Sequence, residues 1–305
     1  MTDVDKTIKV EKVDPETFTR RKALPYADLV LKVFDRDPLF SYWFGPNYRY
    51  GNTQLLTAYA DCLVAYVLDG MLFYVLTDAV SGELLGISMW VPPEAQLKQS
   101  HHDYYSFKWR FRKFTTHVGL GLSYVWNWGL PNLSRRIVGR SPVDHPLYND
   151  RLGQFYEGFN KVADRVGENE RPLKRLSELS YHQLATTPYR KKDMYYLSVL
   201  VIRPEHQNKG LGTHFLRETL NGLSKEPVQF VWENRSSVGP QKVYVNSSDG
   251  ACHLYRKLGF LELCNYKVSL DECDISITRL EKVMGMSSGS TSTSLTKILE
   301  HAEQE

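Results

Sequence analysis

The chain has 305 residues, enough to bury a substantial core in one large domain or two modest ones. Hydrophobic residues make up 42% and charged residues 24%, the balance of a soluble globular protein rather than a disordered or fibrous one. A formal charge of +3 is too small to imply a nucleic-acid partner by itself, and four cysteines (Cys62, Cys252, Cys264, Cys273) without a CxxC pair show no metal spacing.

The N-terminus, MTDVDKTIKV, lacks the basic-then-apolar build of a signal peptide. Free thiols in a reducing compartment are expected, including Cys264 and Cys273 on either side of a predicted hairpin, with a cytoplasmic location and the nucleus left open. Ile8 to Val13 alternates and predicts a first strand. Asp14-Pro15-Glu16 then opens a helical region to about Phe34. Asp35 to Pro46 is an aromatic-rich bend with a short helix between its prolines. Thr53 to Leu68 is apolar at helical spacing. Met71 to Thr77 and Glu83 to Val91 predict a hairpin around Val80-Ser81-Gly82. The apolar run Leu63 to Leu76 is broken by Asp69-Gly70 and is too short to span a bilayer. Pro92-Pro93 stops the second strand.

Between Pro93 and Asp193 lies a long insertion rich in aromatics, with KWRFRKF (Lys108 to Phe114), YVWNWG (Tyr124 to Gly129) and the basic Arg135, Arg136 and Arg140. A helical core face with snorkelling arginines, lining an acceptor pocket, is the expectation; a membrane-surface or nucleic-acid contact is the alternative. His101, His102 and His145 have no partner spacing for a metal, and none is expected.

Tyr195 to Gly212 reads YYLSVLVIRPEHQNKGLG. An apolar run (Leu197, Val199, Val201, Ile202) ends at Pro204 and passes through Gln207-x-x-Gly210-x-Gly212 into a helical pattern (Phe215, Leu216, Leu220, Leu223). A strand feeding a helix N-terminus through a Gly-rich turn gathers unpaired N–H groups and the positive end of the helix dipole, which suits an anion. The nucleoside-triphosphate loop is excluded because Thr213-His214 follows Gly212. The dinucleotide fingerprint is excluded because only one Gly-x-Gly is present.

Val243 to Phe260 reads VYVNSSDGACHLYRKLGF. An alternating strand (Val243, Val245) leads to Ser247-Ser248-Asp249 as an N-cap cluster. A short helix carries Leu254, Tyr255 and Leu258, and Gly259 closes it. A strand Leu261 to Leu270 follows, and Tyr266 to Leu270 with Ile275 to Leu280 form a closing hairpin. The Ser/Thr-rich tail 285–305 reads as disordered, with a marginal helix from Leu295.

QxxGxG after a strand ending near a proline, followed by LYxKLGF after a Ser-rich strand exit, resembles the two signature motifs of the GNAT superfamily of N-acetyltransferases. Weaker likeness at Phe34-Asp35-Arg36-Asp37-Pro38-Leu39 and Gly86-Ile87-Ser88-Met89-Trp90-Val91-Pro92-Pro93 resembles its branch of puromycin-type acetyltransferases and fungal relatives. The resemblance implies an α/β (α+β) fold: a mixed, mostly antiparallel twisted sheet flanked by helices, with residues 1–284 as one domain and 93–193 as its helical insertion.

The resemblance further implies acetyl-CoA as co-substrate. The pantetheine arm would run along Leu200, Val201 and Ile202, where a main-chain N–H faces the thioester carbonyl. Gln207 would begin the pyrophosphate turn. The N–H groups of Asn208, Lys209, Gly210, Leu211, Gly212 and Thr213 would surround the diphosphate, with Lys209 neutralising charge. Tyr255 matches the family's general acid, a phenol able to protonate the departing thiolate. Ser248 stands where many relatives carry a pantetheine-binding Asn. No carboxylate lies in Met194 to Val201 or Val243 to Ser247, where relatives often keep a base; Glu178, Asp193, His206, Glu233 or a water chain remain as candidates. Direct transfer is expected, since no Cys or Ser stands beside a His at the thioester position. The acceptor is expected to be a small primary amine. Acetylation of a protein lysine or N-terminus, or a non-catalytic acyl-CoA sensor, stays open, and the sequence leaves the oligomeric state undetermined.

Overall fold

Strand β1 (Ile8–Lys12) is an edge, half exposed, and pairs antiparallel with β2 (Leu72–Asp78) from Ile8↔Asp78 to Lys12↔Tyr74. The computed structural model describes residues 8–35, 37–44, 49–93, 114–119, 121–122, 130–138, 194–224, 230–232, 235–237, 242–269 and 274–284. Strands β2 and β3 (Leu84–Val91) carry near-continuous apolar runs and are buried on both faces, the pattern of a sheet covered on both sides. Their hairpin closes through Asp78, whose carboxylate accepts the N–H of Val80 (2.9 Å) and Ser81 (2.7 Å), while Gly82 takes a φ of +72° that a side chain would resist.

The third strand pairs antiparallel with β4 (Tyr195–Ile202). Next to β4, and parallel to it, lies β7 (Lys242–Ser247); β9 (Asp274–Val283) and β8 (Leu261–Ser269) complete the sheet antiparallel. The order is β1-β2-β3-β4-β7-β9-β8, a mixed seven-stranded sheet with a single parallel pair. This is the mostly antiparallel α/β architecture that the sequence implied. A separate two-stranded ribbon joins β5 (Phe230–Trp232) to β6 (Arg235–Ser237).

Two helical layers divide the sheet's side chains by period-2 alternation. Helices α1 (Arg20–Val33) and α3 (Thr53–Leu68) cover Phe73, Val75, Ile87, Met89 and Val201. On the opposite face α5 (Leu211–Ser224) and α6 (Cys252–Lys257) cover Leu76, Trp90, Tyr195, Leu197, Val243 and Leu280. The apolar positions of α5 read in the sequence, Phe215, Leu216, Leu220 and Leu223, are all buried there. Between the first pair of helices sits α2 (Pro38–Phe44), capped by the Asp37 carboxylate on the N–H groups of Leu39 and Phe40; Asn52 caps α3 in the same way on Gln54 and Leu55.

Three local expectations need correction. The first helix begins at Arg20 rather than near Pro15, because the Asp14 carboxylate accepts the Glu16 N–H and holds a turn instead. The Ser247-Ser248-Asp249 cluster makes no side-chain cap: a 3-10 turn, Asp249–Ala251, intervenes and α6 starts at Cys252. Cys62 and Cys252 are free thiols. The Cys273 residue, the segment Tyr124 to Gly129, His101, His102, His145 and the tail from 285 lie outside the described residues, as does Lys108 to Phe114 save Phe114 itself. Of the expected helical insertion, α4 (Leu130–Ile137) is described, with Arg135 and Arg136 in its last turn.

Close approach of β3 to β4 sets a sharp test. A Cβ on Gly86 would lie 2.7 Å from the carbonyl oxygen of Val201 and 2.7 Å from the Ile202 side chain. Gly86→Ala should therefore lower the unfolding free energy by about 1–3 kcal/mol, as overpacking does. Urea denaturation followed by circular dichroism checks it, and an unchanged midpoint would show that the strands are not so closely held.

Candidate functional site

The pairing of β4 breaks on both sides at one place. Met89 pairs with Val199 and Trp90 with Leu197, so Ser198 is an extra residue with no partner on β3. Such a bulge shifts side-chain parity by one. Tyr195 and Leu197 point to the α5 face before it, while Leu200 and Ile202 point there after it. On the other edge, β4 and β7 pair only over Tyr195↔Val243, Tyr196↔Tyr244 and Leu197↔Val245. Beyond Leu197 the two strands part, although both continue, to Ile202 and Ser247. The stretch Ser198 to Ile202, with the predicted Leu200, Val201 and Ile202, thus borders a wedge into which alternate backbone N–H and C=O groups of β4 project without a strand partner.

The far end of β4 is braced from three directions. Arg203 donates from its main-chain N–H to the Leu85 carbonyl (2.8 Å) and from Nε to that of Leu84 (3.0 Å), and it pairs with Glu83. The Gln207 side-chain amide donates to the Ile202 carbonyl (2.9 Å), so this residue holds the turn to the strand. Glu205 pairs with Lys32 of α1 at 2.6 Å, and that hydrogen bond holds its carboxyl below the usual range.

Within the braced turn Asn208 (φ +60°) and Gly210 (φ +82°) are both left-handed. Alternation of hand around Lys209 folds successive N–H groups toward a common side, as in an anion-binding nest. Helix α5 follows at once. Its first internal bond is His214 N–H to Gly210 carbonyl (3.0 Å), and among the described residues no acceptor meets the N–H groups of Leu211, Gly212 or Thr213. A Cβ on Gly210 would meet nothing within 4 Å, so space lies open above the turn. Gly212 differs: a Cβ there would rest at 3.7 Å from Ile202 and 3.7 Å from Leu254, in ordinary contact. The start of α5 therefore nestles between the end of β4 and α6.

Helix α6 carries Tyr255, which is 5% exposed and packs edge-on against Phe260 at 5.6 Å between centroids. The chain turns back through Gly259 (φ +80°), and the Phe260 N–H donates to the Tyr255 carbonyl, which fixes the ring's base. Burial pushes the phenol's pKa well up, with smaller contributions from Tyr196 and Cys252. It stays protonated at any ordinary pH. Among the described residues its hydroxyl makes no hydrogen bond, and it is not one of the fully buried polar atoms left without a partner. Ser248 is exposed at the end of β7; its carbonyl accepts from Ser247 Oγ (2.8 Å) and Cys252 Sγ (3.4 Å), and its hydroxyl makes no cap bond.

The opposite face of β4–β7–β9 holds groups that sequence reasoning missed. Tyr196 stacks on Tyr244 at 4.7 Å, and the Arg279 guanidinium lies 4.7 Å over the Tyr244 ring. Glu281, 3% exposed, is bound by Lys242 (3.2 Å) and Arg279 (2.7 Å). Burial lowers the Lys242 pKa, against the pull of Glu281. Alternation in DISITRLEKV places Arg279 and Glu281 on one face, but that pattern reads equally as a solvated edge. Of the expected base candidates, His206 sits in the 3-10 turn Pro204–His206, at the end of β4 away from Tyr196; Glu178, Asp193 and Glu233 lie outside the described residues. Among the described residues no three His, Cys, Asp or Glu side chains converge to hold a metal, and no helix is long and apolar enough to cross a membrane.

No family model matches the chain, and no curated protein matches it in sequence. Solved structures do resemble it. One is described as histone acetyltransferase HPA2 and related acetyltransferase from Corynebacterium glutamicum, 14% identical over 92% of this chain and 99% of that one, with a TM-score of 0.46. A GNAT superfamily phosphinothricin acetyltransferase from Sinorhizobium meliloti in complex with acetyl-CoA is 9% identical over 94% of each chain, with a TM-score of 0.43. The ribosomal-protein-S18-alanine N-acetyltransferase of Escherichia coli is 9% identical over 93% of this chain and 97% of that one, at 0.39. With TM-scores below 0.5, these likenesses carry no weight beyond the strand order and register set out above.

The two turn glycines should respond differently to the same change. Gly210→Ala forces a Cβ into a left-handed backbone and should cost about 1–2 kcal/mol of stability, whereas Gly212→Ala, at a helical position with room, should be neutral or slightly stabilising. Thermal unfolding of the two variants side by side decides the matter, and equal effects would contradict the geometry of the turn.

Proposed function

We propose that this chain is an acetyl-CoA-dependent N-acetyltransferase that passes an acetyl group directly to an amine, with a small-molecule primary amine as acceptor. One observation carries the reading. A strand edge freed by a bulge borders the Tyr255 side at one end and a turn of amides that no described residue meets at the other, so one extended ligand with an anionic end and a reactive end suits all three.

The residues present suit that ligand. Amides of Asn208 to Thr213, the α5 dipole and Lys209 offer a diphosphate the charge complement it needs. Open space over Gly210 admits the group without displacing a side chain. Freed N–H and C=O groups along Leu200, Val201 and Ile202 supply strand-like bonds to an amide-bearing arm, and the Ser248 hydroxyl is free to add another. Gln207 acts on the strand end rather than on the ligand. Acetyl-CoA, when bound, supplies the activated acyl group and a thiolate leaving group. In this reading Tyr255 gives the proton on its phenol oxygen to the departing thiolate, and burial keeps that proton in place into alkaline solution. The amine's own proton needs an acceptor, which the described residues do not provide beside Tyr196 as a free carboxylate, since both oxygens of Glu281 are engaged; water leading to bulk solvent is the route we assign. Kinship with puromycin-type enzymes rests on the segments around Asp35 and Gly86 alone.

Calorimetric titration with coenzyme A and acetyl-CoA should show binding, and Gly210→Asp should abolish it by bringing a carboxylate against the phosphates. Thiol release across a panel of amines should proceed in the native protein. In Tyr255→Phe it should fall by roughly 10²-fold with cofactor affinity nearly intact, as loss of a general acid does. Native activity should hold up to pH values above the ordinary phenol range of about 10. Tight cofactor binding with no turnover on any amine or peptide would favour an acyl-CoA sensor instead, and absence of binding heat would remove the proposal altogether.

A further inference from the structure

Helices α1 and α2 meet across a short bend that their side chains do not fill. Phe34, just past the end of α1, stacks on Phe40 of α2 at 4.3 Å between centroids, and Phe44 meets Phe40 edge to face at 5.4 Å. These rings wall a cavity with about 10 Å³ for the centre of a water-sized sphere, and the buried Leu31 and Leu55 lie beneath it. Asp35 and Ser41 are its polar wall, and the exposed Arg49 and Tyr50 form its lip. The carboxylate is held in place: Asp35 Oδ1 accepts the Tyr50 N–H (2.8 Å), while its second oxygen has no partner among the described residues.

Size and lining together decide the occupant. A space of that volume takes about one water-sized group, so a phosphate or an aromatic ring is too large. A water would have only Asp35 and Ser41 to bond, fewer than the roughly three partners that hold an ordered one. A hard divalent cation needs about six oxygens, which this wall does not supply. A primary ammonium is water-sized and gains from both kinds of wall. The free carboxylate oxygen gives it a charge-assisted hydrogen bond, and the phenyl rings attract it through their π faces. Arg49 stands in solvent at the lip, where its like charge is screened.

We propose that this cavity binds the terminal ammonium of an alkylamine, with Asp35 as its counter-ion and Phe34, Phe40 and Phe44 as its walls, the alkyl chain leaving past Tyr50. The cavity shares no residue with the wedge beside β4, so the inference does not depend on the coenzyme A reading and would survive its failure.

Ligand-observed NMR titration of the full chain with n-butylammonium chloride tests it, at neutral pH and without coenzyme A. The probe is charged there, since a primary amine titrates near about 10. Saturable binding is expected, at least about tenfold tighter than that of n-butanol, which has the same chain and no charge. Asp35→Asn keeps an oxygen for the Tyr50 N–H and removes the charge, and should lower the affinity by at least about tenfold, as loss of a charged hydrogen bond does. Phe40→Leu should lower it by about threefold through loss of one ring. Thermal melting followed by circular dichroism reports that each variant is folded, and the comparison with butanol needs no variant. Four outcomes would overturn the proposal: no saturation with butylammonium; equal binding of butanol; displacement by equimolar potassium chloride, which would assign the cavity to an inorganic cation; or full affinity in Asp35→Asn, which would put the amine elsewhere on the chain, the proposed acceptor site included.

Discussion

One surplus residue governs this molecule. Ser198 has no partner on β3, and inserting it turns the rest of β4 over by one step of the pleat. Without it, Leu200 and Ile202 would face α1 and α3, and the strand would have reason to continue beside β7. With it, β4 follows β3 and leaves its parallel neighbour after Leu197. The groups on which the proposed function rests are arranged along the resulting gap. The strand end is then fixed independently, by Arg203 on the carbonyls of β3 and by Gln207 on Ile202, so that a departing strand still delivers the next helix to a defined position.

The two sides of the gap are built on opposite principles. On the α5 side the packing around Tyr255 is mostly apolar, and burial is the main cause that holds its proton. On the other side polar groups are buried in company: Glu281 between Lys242 and Arg279, with the tyrosine pair Tyr196–Tyr244 below the guanidinium. Desolvating three charges is expensive, and mutual pairing offsets that expense only in one geometry. Such a cluster stabilises little but resists any shift of β7 against β9, which keeps one wall of the gap in register.

Much of this was legible in the sequence because local signals and packing agree. The α3 boundaries follow from the apolar helical run Thr53 to Leu68, the β2–β3 hairpin from the turn Val80-Ser81-Gly82, and the site turn from Pro204, Gly210 and the periodicity of α5. The bulge was not legible, since Leu-Ser-Val reads as unbroken alternation and only pairing reveals that the parity flips. Asp14 misled because a carboxylate before Pro15 can cap a helix or close a tight turn, and the backbone decided for the turn. Glu281 and Arg279 were passed over because i, i+2 charges on a strand look solvated, and it is the covering of that face, not the strand itself, that buries them.

Val91 at the end of β3 and Tyr196 at the start of β4 are register partners, although about 100 residues of chain separate them. A segment that leaves and re-enters the sheet at adjoining positions exerts almost no leverage on it, since doubling such a loop changes its closure entropy by only about 0.6 kcal/mol. Selection can therefore lengthen, shorten or exchange that stretch while the strands around it keep their alignment. The scaffold is conservative by geometry, and its versatility is concentrated at a single splice point.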